Sequence, residues 1–261
     1  MDDILTINRQ AWNNQAKQGE SPWVQPVDAQ TIAAARIGQW SVILTPTKAV
    51  PAKWFGDLSD CRLLALASGG GQQVPVLAAA GALVTSFDNS DAQLEKDAQV
   101  AERESLNITL EQGDMADLSR FQDASFDLIF HPVSNVFVPD VIPVWHECYR
   151  VLKPGGRLLA GFMNPCFFLF DHEDIERGGE FIAKFELPYN DPDHLSPAQI
   201  ETRMLAGGAV EFSHSLDDQI GGQLDAGFML KGFYEDRWDN QATPLNQLMP
   251  TSMATLSIKP T

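Results

Sequence analysis

The amino-acid sequence predicts an α/β fold in which a mostly parallel sheet carries helices on both faces. Three observations lead there. Short apolar runs (Leu63–Ala67, Leu83–Phe87, Ile108–Gln112 and Phe126–His131) alternate with segments of helical periodicity, and short links between such elements favour parallel strands joined by right-handed crossovers. The first run empties into a triple glycine, Gly69–Gly71, ahead of an Ala-rich segment: a strand, a tight turn and a helix. Finally, Gly69–Gly71, Asp88, Asp114 and His131 all follow the ends of apolar runs, so one sheet edge gathers them where open α/β sheets bind ligands.

In chain order, residues 1–60 form an N-terminal extension with helices expected over Ile7–Lys17 and Ala29–Gln39. It holds Trp12, Trp23, Trp40 and Trp54 and is punctuated by Pro22, Pro26, Pro46 and Pro51. Tryptophans of this density anchor a segment by burial. The central stretch follows: strand Leu63–Ala67, glycine turn, helix Val74–Ala80 and strand Leu83–Phe87. Ser90 with Gln93 reads as a capping box opening a helix over Asp91–Leu106. Strands Ile108–Gln112 and Phe126–His131 come next. Val141, Trp145, Cys148 and Leu152 mark a helix from Asp140 to Leu152, with Pro143 in its first turn and Pro154-Gly155-Gly156 as its stop. Beyond 164, Phe181–Leu187 and Ala209–Phe212 read as short strands of an insertion. Ser196-Pro197 opens a helix, Ser215–Ala226 is another that Gly227 ends, and Phe228–Tyr234 and Ala254–Lys259 are the last strands.

The stretch Leu63–Asp88 points to a nucleoside-containing ligand. A helix start behind a glycine turn seats an anion, and Asp88, 19 residues past Gly69, is placed to accept hydrogen bonds from two ribose hydroxyls. Glu111–Leu118 (EQGDMADL) and Arg150–Phe162 (RVLKPGGRLLAGF) narrow the reading. Gly-rich turn, strand-end acid, GDM and LKPGG, in this order, resemble class I S-adenosylmethionine-dependent methyltransferases, in particular the type 11 methyltransferase domain group, from about Cys61 to Asn164. The resemblance implies a Rossmann-like seven-stranded sheet whose last strand is antiparallel and inserted between its neighbours. It also implies an N-terminal helical cap over 1–60, a methyltransferase domain over 61–261, and an insertion within 165–214 near the substrate cleft. S-adenosyl-L-methionine is the implied cofactor.

Carried over residue by residue, the resemblance assigns the cofactor to Ala67, Ser68, Gly69, Gly71, Asp88, Asn89, Asp114, Met115 and His131. Asp114 would accept from the adenine amine and Met115 would pack on the ring. Two positions depart from the family pattern: its usual first-strand acid is Ala65 here, and its usual first glycine is Ala67. His131, in HPVSN, stands where enzymes acting on base amines often carry an acid or Asn before Pro-Pro and an aromatic. A neutral imidazole there is a candidate base for a hydroxyl or thiol, set against a structural histidine. Trp12, Asn135 and His214 are candidate substrate residues, each against a packing or loop role. His146, His172 and His194 show no metal spacing, and no metal is expected.

Composition limits the alternatives. The 261 residues carry 18 Lys/Arg against 35 Asp/Glu, a net charge of −17 with the excess beyond residue 165. Such a field disfavours nucleic acid. Three cysteines without CxxC spacing, an acidic start and no apolar run of membrane-spanning length lead to the expectation of a cytoplasmic protein, not membrane-bound. The expected reaction is methyl transfer to a small molecule. The rivals are a cofactor-binding regulatory module of the same fold without turnover, and a nicotinamide oxidoreductase, whose G-x-G-x-x-G is incomplete at Val74.

Overall fold

The computed structural model describes residues 4–239 and 242–261. Its centre is a seven-stranded sheet of order β3-β2-β1-β4-β5-β7-β6, built from β1 (Arg62–Leu66), β2 (Leu83–Asp88), β3 (Ile108–Gln112), β4 (Phe126–His131), β5 (Leu152–Met163), β6 (Met229–Asp236) and β7 (Ser252–Ile258). β7 runs antiparallel between β5 and β6, and the other six strands are parallel. The Rossmann-like expectation is met, including the inserted last strand.

β1 shows why its sequence is apolar without alternation. Leu63 and Ala65 face one core with Val84, Phe130 and Leu159, while Leu64 and Leu66 face the other with Phe87, Ile129 and Trp145. A strand buried on both faces has no polar side. The helices are α1 (Ile4–Gln18), α2 (Ala29–Arg36), α3 (Gln73–Ala79), α4 (Asp91–Glu104), α5 (Ile142–Val151), α6 (His172–Glu176), α7 (Asp191–His194), α8 (Pro197–Leu205) and α9 (Gly222–Asp225). Among the described residues, no helix is long and apolar enough to cross a membrane.

Several sequence expectations are corrected. Phe181–Leu187 and Ala209–Phe212 are not strands. Each reaches only an isolated bridge, Phe170 to Ala183 and Asn190 to Phe212, and Phe181 and Ile182 stay exposed with no ladder to bury them. The helix expected over Ser215–Ala226 is present over residues 216–225, with the one difference that Asp217–Gly221 is a π-turn. α5 passes straight into β5 at Leu152, which already pairs with Phe126, so Pro154-Gly155-Gly156 lies in the irregular start of the strand. The capping box at α4 is half made. Ser90 Oγ accepts from Gln93 N at 3.1 Å, but Asp88 Oδ1 has taken the Ser90 N–H (2.9 Å), which leaves the Gln93 side chain free to turn elsewhere.

Candidate active site

The tips of β1, β2 and the loop after β3 bound a cavity of about 390 Å³, within the size range of small-molecule sites. Ala67, Ser68 and Gly69 leave β1, Asp88 and Asn89 leave β2, and Gly113, Asp114 and Met115 follow β3; all line it. Trp23, Gln72, Gln73, Phe87 and Gln93 complete this side, and the remaining wall comes from distant parts of the chain: Leu5, Asn8, Trp12 and Gln15 of α1, Ile43–Pro46, Pro132–Ser134 and Val136–Val138, Met163, Phe167 and Phe168, Gly207–Ala209, Glu211 and Trp238.

The glycine bend is fixed by carboxylates. Gly69 N donates to Asp88 Oδ2 at 3.0 Å. Gly71 N donates to Asp97 Oδ1 at 2.7 Å, and Ser86 Oγ to Asp97 Oδ2 at 2.7 Å. At Gly70, with φ +126°, a Cβ would lie 2.6 Å from Trp23 O, so no side chain fits between the bend and the N-terminal segment. Ala67 has φ +49°. This left-handed backbone explains why glycine is usual there, and alanine holds it at a strain of about 1–2 kcal/mol. Burial pushes the Asp88 carboxyl up, against the backbone N–H groups of Ser90, Gly69 and Asn89. Burial likewise raises Asp97 to about 7, opposed by Ser86 and Gly71. Two buried oxygens on this side, Ser68 Oγ and Gln93 Oε1, have no hydrogen-bond partner among the described residues.

α1 is tied down over the strand tips. Asn89 Nδ2 donates to Leu5 O (2.8 Å), Ser90 Oγ to Asn13 Oδ1 (2.6 Å), and Asn13 Nδ2 to Asp91 Oδ1 (2.7 Å). Buried Asn8 sews the helix to two further segments, donating to Phe137 O and Val210 O and accepting from Val210 N. Trp12 sits edge-on to Phe137 at 5.3 Å, and Trp23 to Trp238 at 5.6 Å.

Residues 64–160 match the family model described as "Methyltransferase domain". A Bacillus subtilis (strain 168) protein described as "Uncharacterized methyltransferase YbaJ" is 48% identical over 259 residues, 99% of this chain and 100% of that protein. The chain belongs to the class I S-adenosylmethionine-dependent methyltransferases. Two solved structures share the fold. An S-adenosylmethionine dependent methyltransferase from Mesorhizobium loti superposes with TM-score 0.59 at 20% identity over 79% of this chain and 94% of that one. The magnesium protoporphyrin IX methyltransferase from Synechocystis PCC 6803 with bound SAH gives TM-score 0.59 at 14% identity, covering 98% and 100%.

In this methyltransferase the expected site residues divide. Ala67, Ser68, Gly69, Asp88, Asn89, Asp114, Met115 and Trp12 line the cavity. Gly71 does not; its N–H is spent on Asp97. His131, Asn135 and His214 are buried away from the cavity in a polar network. His131 Nδ1 lies 2.9 Å from Leu66 O, and its Nε2 faces the Asn135 amide oxygen. That amide pairs with Gln219 of the π-turn (3.0 Å), and His214 Nε2 lies 3.0 Å from Asn135 O. Burial lowers the His131 pKa, against the contacts to Leu66 and Asn135, and both ring nitrogens face groups of the protein rather than the cavity. Ala65 is fully buried in the core among apolar side chains.

Sequence reasoning missed Gln93, Asp97, Asn8 and Glu211. Asp97 carried a signal: with Leu94 and Val100 it lies on the buried face of α4, where an acid needs a reason. Glu211 carried none, because its neighbours Asp191 and Arg203 reach it from the separate helices α7 and α8.

Proposed function

We propose that the chain moves the methyl group of S-adenosylmethionine to a small organic acceptor that shares the cavity. The residues present fit the cofactor. Asp88 keeps lone pairs for two ribose hydroxyls. Asp114, whose Oδ1 takes the Ala116 N–H at 3.0 Å, has its other oxygen for the adenine amine, and Met115 supplies an apolar surface for the ring. Gly113 must stay bare, since a Cβ there would meet the Phe87 ring at 2.3 Å. Ala67–Gly69 take the amino-acid end. The observation that carries the reading is the pair of orphaned oxygens, Ser68 Oγ and Gln93 Oε1, at a bend whose Gly69, Gly70 and Gly71 N–H groups are all hydrogen-bonded. A polar ligand completes them.

Bound there, S-adenosylmethionine supplies an electrophilic methyl on a sulfonium sulfur. The chain binds, orients and excludes water, and alignment of this kind is worth roughly 7–11 kcal/mol. Trp12, Phe137, Phe167, Phe168 and Trp238 give the acceptor a largely aromatic wall. His131 acts as a positioning residue: it joins the tip of β1 to the loop that supplies Pro132–Ser134 and Val136–Val138. A small acceptor agrees with the enclosed wall and with the net charge of −17, which repels a phosphate backbone. A cytoplasmic setting agrees with Cys61, Cys148 and Cys166 all being free thiols.

Calorimetry with S-adenosylmethionine and S-adenosylhomocysteine tests the site. Both should bind to the native protein, and filling the bend with Ser68→Leu should abolish the heat in a chain that still unfolds cooperatively. Unchanged binding would remove the site from this bend.

A further inference from the structure

Once His131 is set aside, the ionisable side chains lining the cavity, among the described residues, are Asp88, Asp114 and Glu211. The first two stand at the strand tips where the cofactor is placed. Glu211 stands in the other wall, in the segment that Asn8 of α1 holds through Val210. Its immediate polar neighbours leave it incompletely compensated. Asp191 collects the Tyr189 hydroxyl at 2.8 Å, Arg203 Nη1 at 2.9 Å and the Glu211 backbone N–H at 2.7 Å. Arg203 therefore gives its short contact to Asp191 and reaches the Glu211 carboxylate only at 3.7 Å. The α1 side chains that line the cavity, Leu5, Asn8, Trp12 and Gln15, bring no charge.

We propose that Glu211 is the proton acceptor in methyl transfer, and that the acceptor is a small molecule presenting an O–H, S–H or neutral N–H nucleophile. This deepens the reading of the cavity given above and rests on it. The acceptor's lone pair forms the new bond to the methyl carbon while the S–CH3 pair stays on sulfur, leaving a neutral thioether. The acceptor's proton passes to the Glu211 carboxylate and from there to solvent, toward which the side chain is 30% open. Burial raises the Glu211 pKa to about 7, with Arg203 opposing and Asp191 assisting. A base in that range is half available at neutral pH and strong enough to take the proton.

Two measurements on the full chain test this. Carbon-13 carboxyl NMR of glutamate-labelled protein, loaded with S-adenosylhomocysteine, should show one carboxyl titrating near 7 that vanishes in Glu211→Gln. Titration of Glu211 below about 5 would overturn the proposal. Methyl-tritiated S-adenosylmethionine is also supplied with a bacterial extract split into small-molecule and macromolecular fractions. Label should enter the small-molecule fraction, with a rate that rises with pH through about 7. Glu211→Gln should lose at least about 10²-fold of that rate and the rising limb, while its affinity for S-adenosylhomocysteine stays within about twofold. Full labelling by Glu211→Gln would overturn the base. Label confined to macromolecules would instead overturn the small-acceptor reading on which it rests.

Discussion

The two walls of the cavity are built on different principles. The strand-tip wall uses three short, sequence-local units, Ala67–Gly69, Asp88–Asn89 and Gly113–Met115, each leaving a parallel strand and fixed by backbone hydrogen bonds. The facing wall collects side chains from α1, the 43–46 segment, 163–168, 207–211 and Trp238, segments from nearly the whole length of the chain, joined by Asn8 and aromatic edges. A group common to a whole family suits the first kind of wall, because strand order sets its geometry. A group peculiar to one enzyme suits the second, which can vary without disturbing the sheet.

Variants can separate the two walls. The largest effect is expected from His131→Ala, which touches the frame behind both. It removes the tie to Leu66 O, strands the buried Asn135 amide and opens a void beside Trp145. Stability should fall by about 3–5 kcal/mol in urea unfolding. A folded, fully stable variant with lost turnover would restore the histidine as a catalytic base. Asp88→Ala should weaken S-adenosylhomocysteine binding by roughly 1.5–3 kcal/mol, the scale of charged hydrogen bonds, with calorimetry as the measure. Trp12→Ala should leave that affinity within about twofold while raising the acceptor KM, and a parallel loss of cofactor affinity would erase the division between the walls.

Smaller effects sharpen the strand-tip wall. Folded Asp97 holds its proton up to about 7, whereas in the unfolded chain it ionises near the ordinary carboxylate value. Between these values the folded state binds more protons, so the residue's contribution to stability declines as pH rises from about 4 to 7. Asp97→Asn keeps both hydrogen-bond positions and removes this decline, visible as a smaller difference in urea midpoint between about pH 5 and about pH 7.5. His131 and His214, held below the usual imidazole value by burial, act in the opposite sense: the unfolded chain takes up protons below about 6.5 that the folded chain refuses, and stability falls with falling pH. Ala67→Gly should relieve the left-handed strain and raise stability by about 0.5–1 kcal/mol, a Tm gain of a few degrees.

The same division explains what the sequence revealed. Each unit of the strand-tip wall lies within a few residues of an apolar run, so Gly69, Asp88 and Asp114 could be located by spacing alone. The parallel sheet followed from the same pattern, whereas its inserted antiparallel strand followed from the family resemblance. His131 shared that signal, but base and structural roles stayed open: position at a strand end fixed the backbone, while the direction of the ring depended on Asn135 and on Gln219, 84 residues away from Asn135. Glu211 and the 181–187 segment fared worse. Apolar residues such as Phe181 and Ile182 suggested a strand, yet the strand needed a neighbour the fold does not supply. The departure at Ala67 was legible as a missing glycine, and its backbone supplies the physical content of that departure.

The π-turn at Asp217–Gly221 places Gln219 against Asn135 and the Asp218 carbonyl under Trp145 Nε1 at 2.9 Å. It holds one residue more than a regular α-turn would. Deleting a single position there would restore ordinary winding and rotate everything downstream by about 100°, swinging Gln223 off the Thr255 and Ser257 hydroxyls of the antiparallel strand. Length in this half of the helix is therefore as constrained as side-chain identity, and a one-residue indel would uncouple the sheet from the loop behind the active cavity.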